Sequence, residues 1–122
     1  MPAICIQSLP GHALNKRQEI MKSIARDVAE IAKVPERAVF CTWQVLEAGA
    51  YIQNGEIAES QPENSHPPIV TLTLFEGRSA EQIEQALNAI AKHLSSIGNV
   101  FISVHEAKSG EVFTGGGVRK KS

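Results

Sequence analysis

Apolar and polar positions alternate from Ala3 to Ser8, where Ile4 and Ile6 interleave with Cys5 and Gln7. A period of two predicts a short strand, and Leu9-Pro10-Gly11-His12 ends it as a turn. From about Leu14 to Ala32 the period changes. Ile20, Ile24, Val28 and Ile31 step by four, four and three, the spacing of one helix face. Val34-Pro35 stops that helix, because the residue before proline is pushed out of the helical region. Alternation returns as Val39, Cys41, Trp43 and Val45 interleave with Phe40, Thr42 and Gln44, predicting a strand apolar on much of both faces.

Residues 55–68, GEIAESQPENSHPP, carry neither period and read as a connector. The pattern then restarts. Val70, Leu72 and Leu74 mark a strand face, Gly77 a turn, and Ser79 with Gln82 the spacing of a capping box. Ile83, Leu87, Ile90, Leu94 and Ile97 form the apolar face of a second helix, and Gly98 stands where a left-handed helix cap is expected. Val100 to His105 is a further strand, and Ser109-Gly110 and Thr114-Gly115-Gly116-Gly117 mark the turns of a terminal hairpin. The restart is a numerical echo: Pro68 minus Pro2 is 66, and so is Arg78 minus His12. The expected architecture is therefore α/β (α+β), a duplicated βαβ unit giving a four-stranded sheet with two helices on one face. Its halves are about residues 1–54 and 68–118, joined by 55–67 within a single domain, 1–122. The other face is left uncovered. Phe40, Phe101 and Trp43 would then expose apolar area that symmetric association removes, so an oligomer is expected.

Composition narrows the function classes. A chain of 122 residues suits one domain. No apolar run approaches bilayer length and no export signal opens the chain, so the expectation is a cytoplasmic protein with no membrane partner. A net charge of -1 provides no field for nucleic acid, and Arg119-Lys120-Lys121 reads as a solubilising tail. Cys5 and Cys41, each inside a strand-like run, read as buried thiols. His66, His93 and His105 show no ligand spacing, so no metal is expected. Gly115 to Gly117 lack the strand-to-helix setting of a phosphate cradle, and no other cofactor is expected.

Met1-Pro2, the turn Glu76-Gly77-Arg78-Ser79, the stretch PIVTLTLFEGRSAEQ and the terminal EVFTGGG together resemble the tautomerase superfamily, in its fused type that joins two 4-oxalocrotonate-tautomerase-like units. The resemblance implies a homotrimer of double βαβ subunits. It also implies an isomerase activity, tautomerisation of an enol or keto 2-oxo acid with the processed N-terminal proline, Pro2, as general base. Pro68 is locked in a peptide bond, so the duplication leaves one such base per chain. By resemblance Arg78 binds the carboxylate or carbonyl of a small-molecule substrate through a planar, permanently charged guanidinium. His12, in the equivalent turn, and Phe113, as an apolar wall, are the further substrate-binding candidates. Relatives acting on dicarboxylates place a second arginine on the strand after the first helix; Phe40 and Phe101 stand there, so a mono-carboxylated substrate is expected. The alternative is a catalytically silent, trimeric small-molecule-binding protein of the same fold.

Overall fold

Each period-two stretch forms a strand, and each stretch whose apolar positions step by threes and fours forms a helix. The computed structural model describes residues 2–120. In order they form β1 (Ala3–Ser8), α1 (Leu14–Ala32), β2 (Phe40–Val45), β3 (Tyr51–Gln53), β4 (Glu56–Ala58), β5 (Ile69–Phe75), α2 (Ala80–Leu94), β6 (Phe101–Ala107), β7 (Val112–Thr114) and β8 (Gly117–Arg119). One sheet has the order β2-β1-β5-β6, and β3-β4 and β7-β8 are separate hairpins. Within each half the strands are parallel, and the halves meet antiparallel through β1 and β5.

The apolar rows meet on one side. Ile4 and Ile6 of β1 and Val70, Leu72 and Leu74 of β5 pack under Ile24 and Val28 of α1 and Ile90 and Leu94 of α2, all essentially without solvent contact. Such burial removes apolar surface from water, the main favourable term in folding. Both helices therefore lie on the same sheet face, as the pattern predicts.

The duplication extends further than the helices. Gly11 and Gly77, 66 residues apart, both adopt positive φ (121° and 106°), the left-handed region that glycine enters without a Cβ penalty. Beyond the helices the offset falls to 61: Phe101 minus Phe40, and Gly110 minus Gly49, whose φ values are 86° and 89°. Only the first half carries a 3-10 turn, Glu36–Ala38, between its helix and second strand. The two hairpins obey the same offset. Ile52 pairs with Ile57 in one and Phe113 with Val118 in the other, all four exposed. The first hairpin turns at Asn54-Gly55, both at positive φ, so its second strand, β4, lies within the stretch read as a connector.

Three expectations are corrected. Trp43 does not lie on the uncovered face: alternation along β2 directs it with Cys41 into the helix side, where its indole N–H donates to the buried Ser8 Oγ at 2.9 Å. The open face is accordingly less apolar than expected. Thr42, Cys5, Thr71 and Ser103 form a row across its middle, with Phe40 and Phe101 at diagonal corners. Cys5 is exposed there, not buried. Finally, Gly98 is not a left-handed cap; α2 ends at Leu94 with Ser95 in right-handed geometry. Glycine is required at 98 for space, since a Cβ there would stand 2.5 Å from the Pro67 carbonyl oxygen.

Candidate active site

Antiparallel pairing of β1 with β5 determines which loops meet. Ala3 faces Thr73 and Gln7 faces Ile69, so the start of β1 and the end of β5 emerge at the same end of the sheet. That end holds Pro2, the Glu76-Gly77-Arg78-Ser79 turn and, by parallel pairing, the start of β2 and the exit of β6. His12 follows the far end of β1. It lies at the opposite end, with Pro68 and the start of β6. The structure thus brings Pro2 and Arg78 to one end and separates both from His12.

The Arg78 turn is fixed on both sides. The Glu76 N–H donates to the Ala107 carbonyl at 2.8 Å, and the Glu76 carboxylate accepts from the Ser109 N–H at 2.6 Å. This ties the turn to the exit of β6. On its other side the capping box forms as predicted: the Gln82 N–H donates to Ser79 Oγ at 3.1 Å, and the Ser79 N–H to Gln82 Oε1 at 3.1 Å. Arg78 between them is partly buried, and its Nε is buried with no hydrogen-bond partner among the described residues. A buried donor left unpaired costs on the order of 1–3 kcal/mol, so this nitrogen can take an acceptor that none of the described residues supplies.

Pro2 has a fully buried side chain, and its carbonyl accepts the Phe40 N–H at 3.0 Å. Met1 lies outside the described residues. The β7-β8 hairpin reaches from β6 toward the β2 edge, where Thr114 and Arg119 border a cavity of about 200 Å³ with Ala38 and Phe40. Side chains alternate along a strand, so Phe113 faces away from Thr114 and from this cavity and is 72% exposed. Phe113 therefore stands outside this cavity. Arg119 borders this cavity from the end of β8. Taken for part of a tail, it pairs with Val112 inside β8, and the glycine turn followed by Val118 was the available signal.

His12 carries no dependable positive charge. Burial first, then the nearby Lys16 and Arg17, hold its pKa below the ordinary histidine value, and its carbonyl accepts from Arg17 Nε at 3.1 Å. Burial pushes the Cys41 thiol up to about 11, with Cys5 adding to the shift, which makes it a poor nucleophile. Among the described residues no group of three His, Cys, Asp or Glu side chains could hold a metal ion. Nor is any described helix long and apolar enough to cross a membrane.

A mixed four-stranded sheet with two helices on one face, built from antiparallel βαβ halves, is an α+β fold that the chain shares with solved fused 4-OT structures. The chain superposes on the wild-type F6 fused 4-OT, an asymmetric trimer, with a TM-score of 0.85 at 13% identity, covering 95% of this chain and 94% of that one. It also superposes on Pt0534 inactivated by 2-oxo-3-pentynoate (TM-score 0.79, 18% identity, 96% and 94% covered). N1, a member of the cis-3-chloroacrylic acid dehalogenase family, is a third (0.78, 21%, 98% and 84%). The chain therefore has the fold of the fused 4-OT structures, as its sequence resemblance implied. No protein-family model matches the sequence, and no curated protein matches it.

Proposed function

We propose that the protein is a tautomerase that ketonises the enol of a 2-oxo acid, with a processed Pro2 as base and Arg78 as anchor. The observation that carries this reading is the meeting of Pro2 and Arg78 at one sheet end, where Arg78 keeps a buried N–H without a partner. Removal of Met1 makes Pro2 a secondary amine. The neutral amine takes the enol hydroxyl proton, the oxygen becomes the carbonyl, and the electron pair of the C=C bond accepts the proton back at carbon. Arg78 holds the carboxylate and its charge disfavours the protonated amine. A homotrimer fits the exposed apolar pairs on both hairpins and the trimeric state of the F6 fused 4-OT.

The side chain of Pro2 is buried in the unprocessed chain, and a chain that keeps its methionine would be the second reading, a silent binding protein of the same fold. Intact mass and ultraviolet-followed ketonisation of 2-hydroxy-2,4-pentadienoate and phenylenolpyruvate separate the two. For the tautomerase, the methionine is absent from native protein, turnover occurs, and acetylating the amine abolishes it. Arg78→Ala lowers kcat/KM by at least a hundredfold, and His12→Ala by much less. Retained methionine, or turnover indifferent to acetylation, rules out the prolyl base.

A further inference from the structure

The two hairpins share one build and carry opposite charge. At the offset of 61 the backbone bonds repeat: the Ala50 N–H donates to the Glu47 carbonyl and the Glu111 N–H to the Lys108 carbonyl, both at 2.9 Å. Likewise the Gly49 N–H reaches the Ala58 carbonyl at 3.2 Å, and the Gly110 N–H reaches that of Arg119 at 2.8 Å. The exposed apolar pairs, Ile52 with Ile57 and Phe113 with Val118, follow the same offset. The charges invert. Lys108 stands where the first hairpin has Glu47, and Lys120 where it has Glu59, all four exposed and none in an ion pair among the described residues. Glu56 and Glu63 extend the acidic side, in a stretch with no lysine or arginine between Arg37 and Arg78, and Arg119 extends the basic side, where Glu111 is the one carboxylate.

The hairpins also border opposite edges of the sheet, whose outer strands are β2 and β6. Thr114 and Arg119 lie beside Ala38 and Phe40 at the start of β2. In the other hairpin the Gln53 carboxamide donates to the Ser65 hydroxyl, and the Ser65 carbonyl accepts the Asn99 N–H at 3.3 Å, just before β6. Copies set side by side in one sense, the β2 edge of one next to the β6 edge of another, bring unlike hairpins together. A twofold arrangement of equal edges brings like hairpins together, and like charges facing each other disfavour a contact. We infer that the hairpins form a head-to-tail interface between copies of this chain, the acidic β3-β4 hairpin of one copy docking on the basic β7-β8 hairpin of the next. The apolar pairs pack between the charges, and a closed ring satisfies both hairpins of every copy. Of the proposed function this contact shares only the homotrimer, and it holds whether or not the protein is a catalyst.

The test is sedimentation at micromolar concentration and low ionic strength, where exposed charges are least screened. Wild type is compared with two charge reversals, Glu47→Lys with Glu59→Lys, and Lys108→Glu with Lys120→Glu. Wild type assembles. Each reversal takes the charge complementarity from the contact and raises the dissociation constant by about tenfold or more. All four substitutions in one chain exchange the signs and restore assembly. That rescue separates charge pairing from misfolding, and unchanged circular dichroism confirms that each variant is folded. Contacts between like hairpins would leave the single reversals no weaker than wild type, because one like-charged pairing merely replaces another. A monomeric wild type, reversals that assemble as wild type does, or a fourfold variant that stays dissociated overturns the interface. The readout needs no turnover. Assembly that follows the charges in a protein that ketonises nothing would remove the tautomerase reading and keep this one, and turnover by a protein whose assembly ignores the reversals would do the reverse.

Discussion

Single side chains at this fold's core do work that their identity does not announce. Ser8 is fully buried, yet its hydroxyl accepts from Trp43 Nε1 and itself donates to the Leu9 carbonyl at 3.0 Å. Ser8→Ala strands the indole N–H in a half-buried setting, and an orphaned donor of that kind costs about 1–2 kcal/mol. Trp43 is the only tryptophan. Urea titration followed by its fluorescence should therefore show a lowered midpoint, and the native emission maximum should shift. Unchanged emission and midpoint would show that the bond contributes nothing.

The two helices are equivalent by position but not by chemistry. α2 starts with a full capping box at Ser79, whereas Ala13, 66 residues earlier, gives α1 no side-chain cap despite suitable extended geometry (φ -63°, ψ 146°). Ala13→Ser transplants the missing acceptor and should stabilise the protein by about 1 kcal/mol, seen as a higher thermal midpoint; no gain would mean that the helix start is already satisfied by water. Where the helices cross, His93 Nε2 meets Asp27 Oδ2 at 2.6 Å, again at an offset of 66. The hydrogen bond from His93 is the main cause holding the Asp27 carboxyl below its usual range, with lesser help from the charges of His93 and Arg26. The folded pKa is depressed, so this contribution is present above the unfolded carboxylate value and is lost as pH falls through the folded one. His93→Ala should move the acid limb of stability to higher pH. Urea midpoints measured between pH 7 and pH 2 for wild type and variant provide the check.

At the scale of the molecule, the exposed apolar groups are distributed by the internal repeat. Ile52 with Ile57, and Phe113 with Val118, project from hairpins at opposite ends of the sheet, and Phe40 and Phe101 occupy opposite corners of its open face. A pattern repeated twice within one chain suits copies that cover one another's exposed surfaces by symmetry. Sedimentation at micromolar concentration should give a trimer. The double variant Ile52→Ser, Phe113→Ser should dissociate it, and a stable wild-type monomer would remove the oligomer from the account.

The sequence alone determines the four strands of the main sheet, both helices, the duplication and the Gly77 turn with its capping box, because period, glycine and cap act over a few residues and leave a local trace. It also singles out Pro2 and Arg78 as the candidate groups. What it leaves open is which face and which end. A period of two says that Cys41 and Trp43 share a side of β2, but only the position of the helices makes that side the interior. The equal offsets of His12 and Arg78 place both after a first strand. The antiparallel contact between β1 and β5 then sends His12 to the end away from Pro2 and Arg78 to the end beside it. Arg119 reads as tail or strand until the hairpin is seen against Phe40. Those outcomes depend on contacts between residues tens of positions apart, which the packing of the whole chain selects and which no local period encodes.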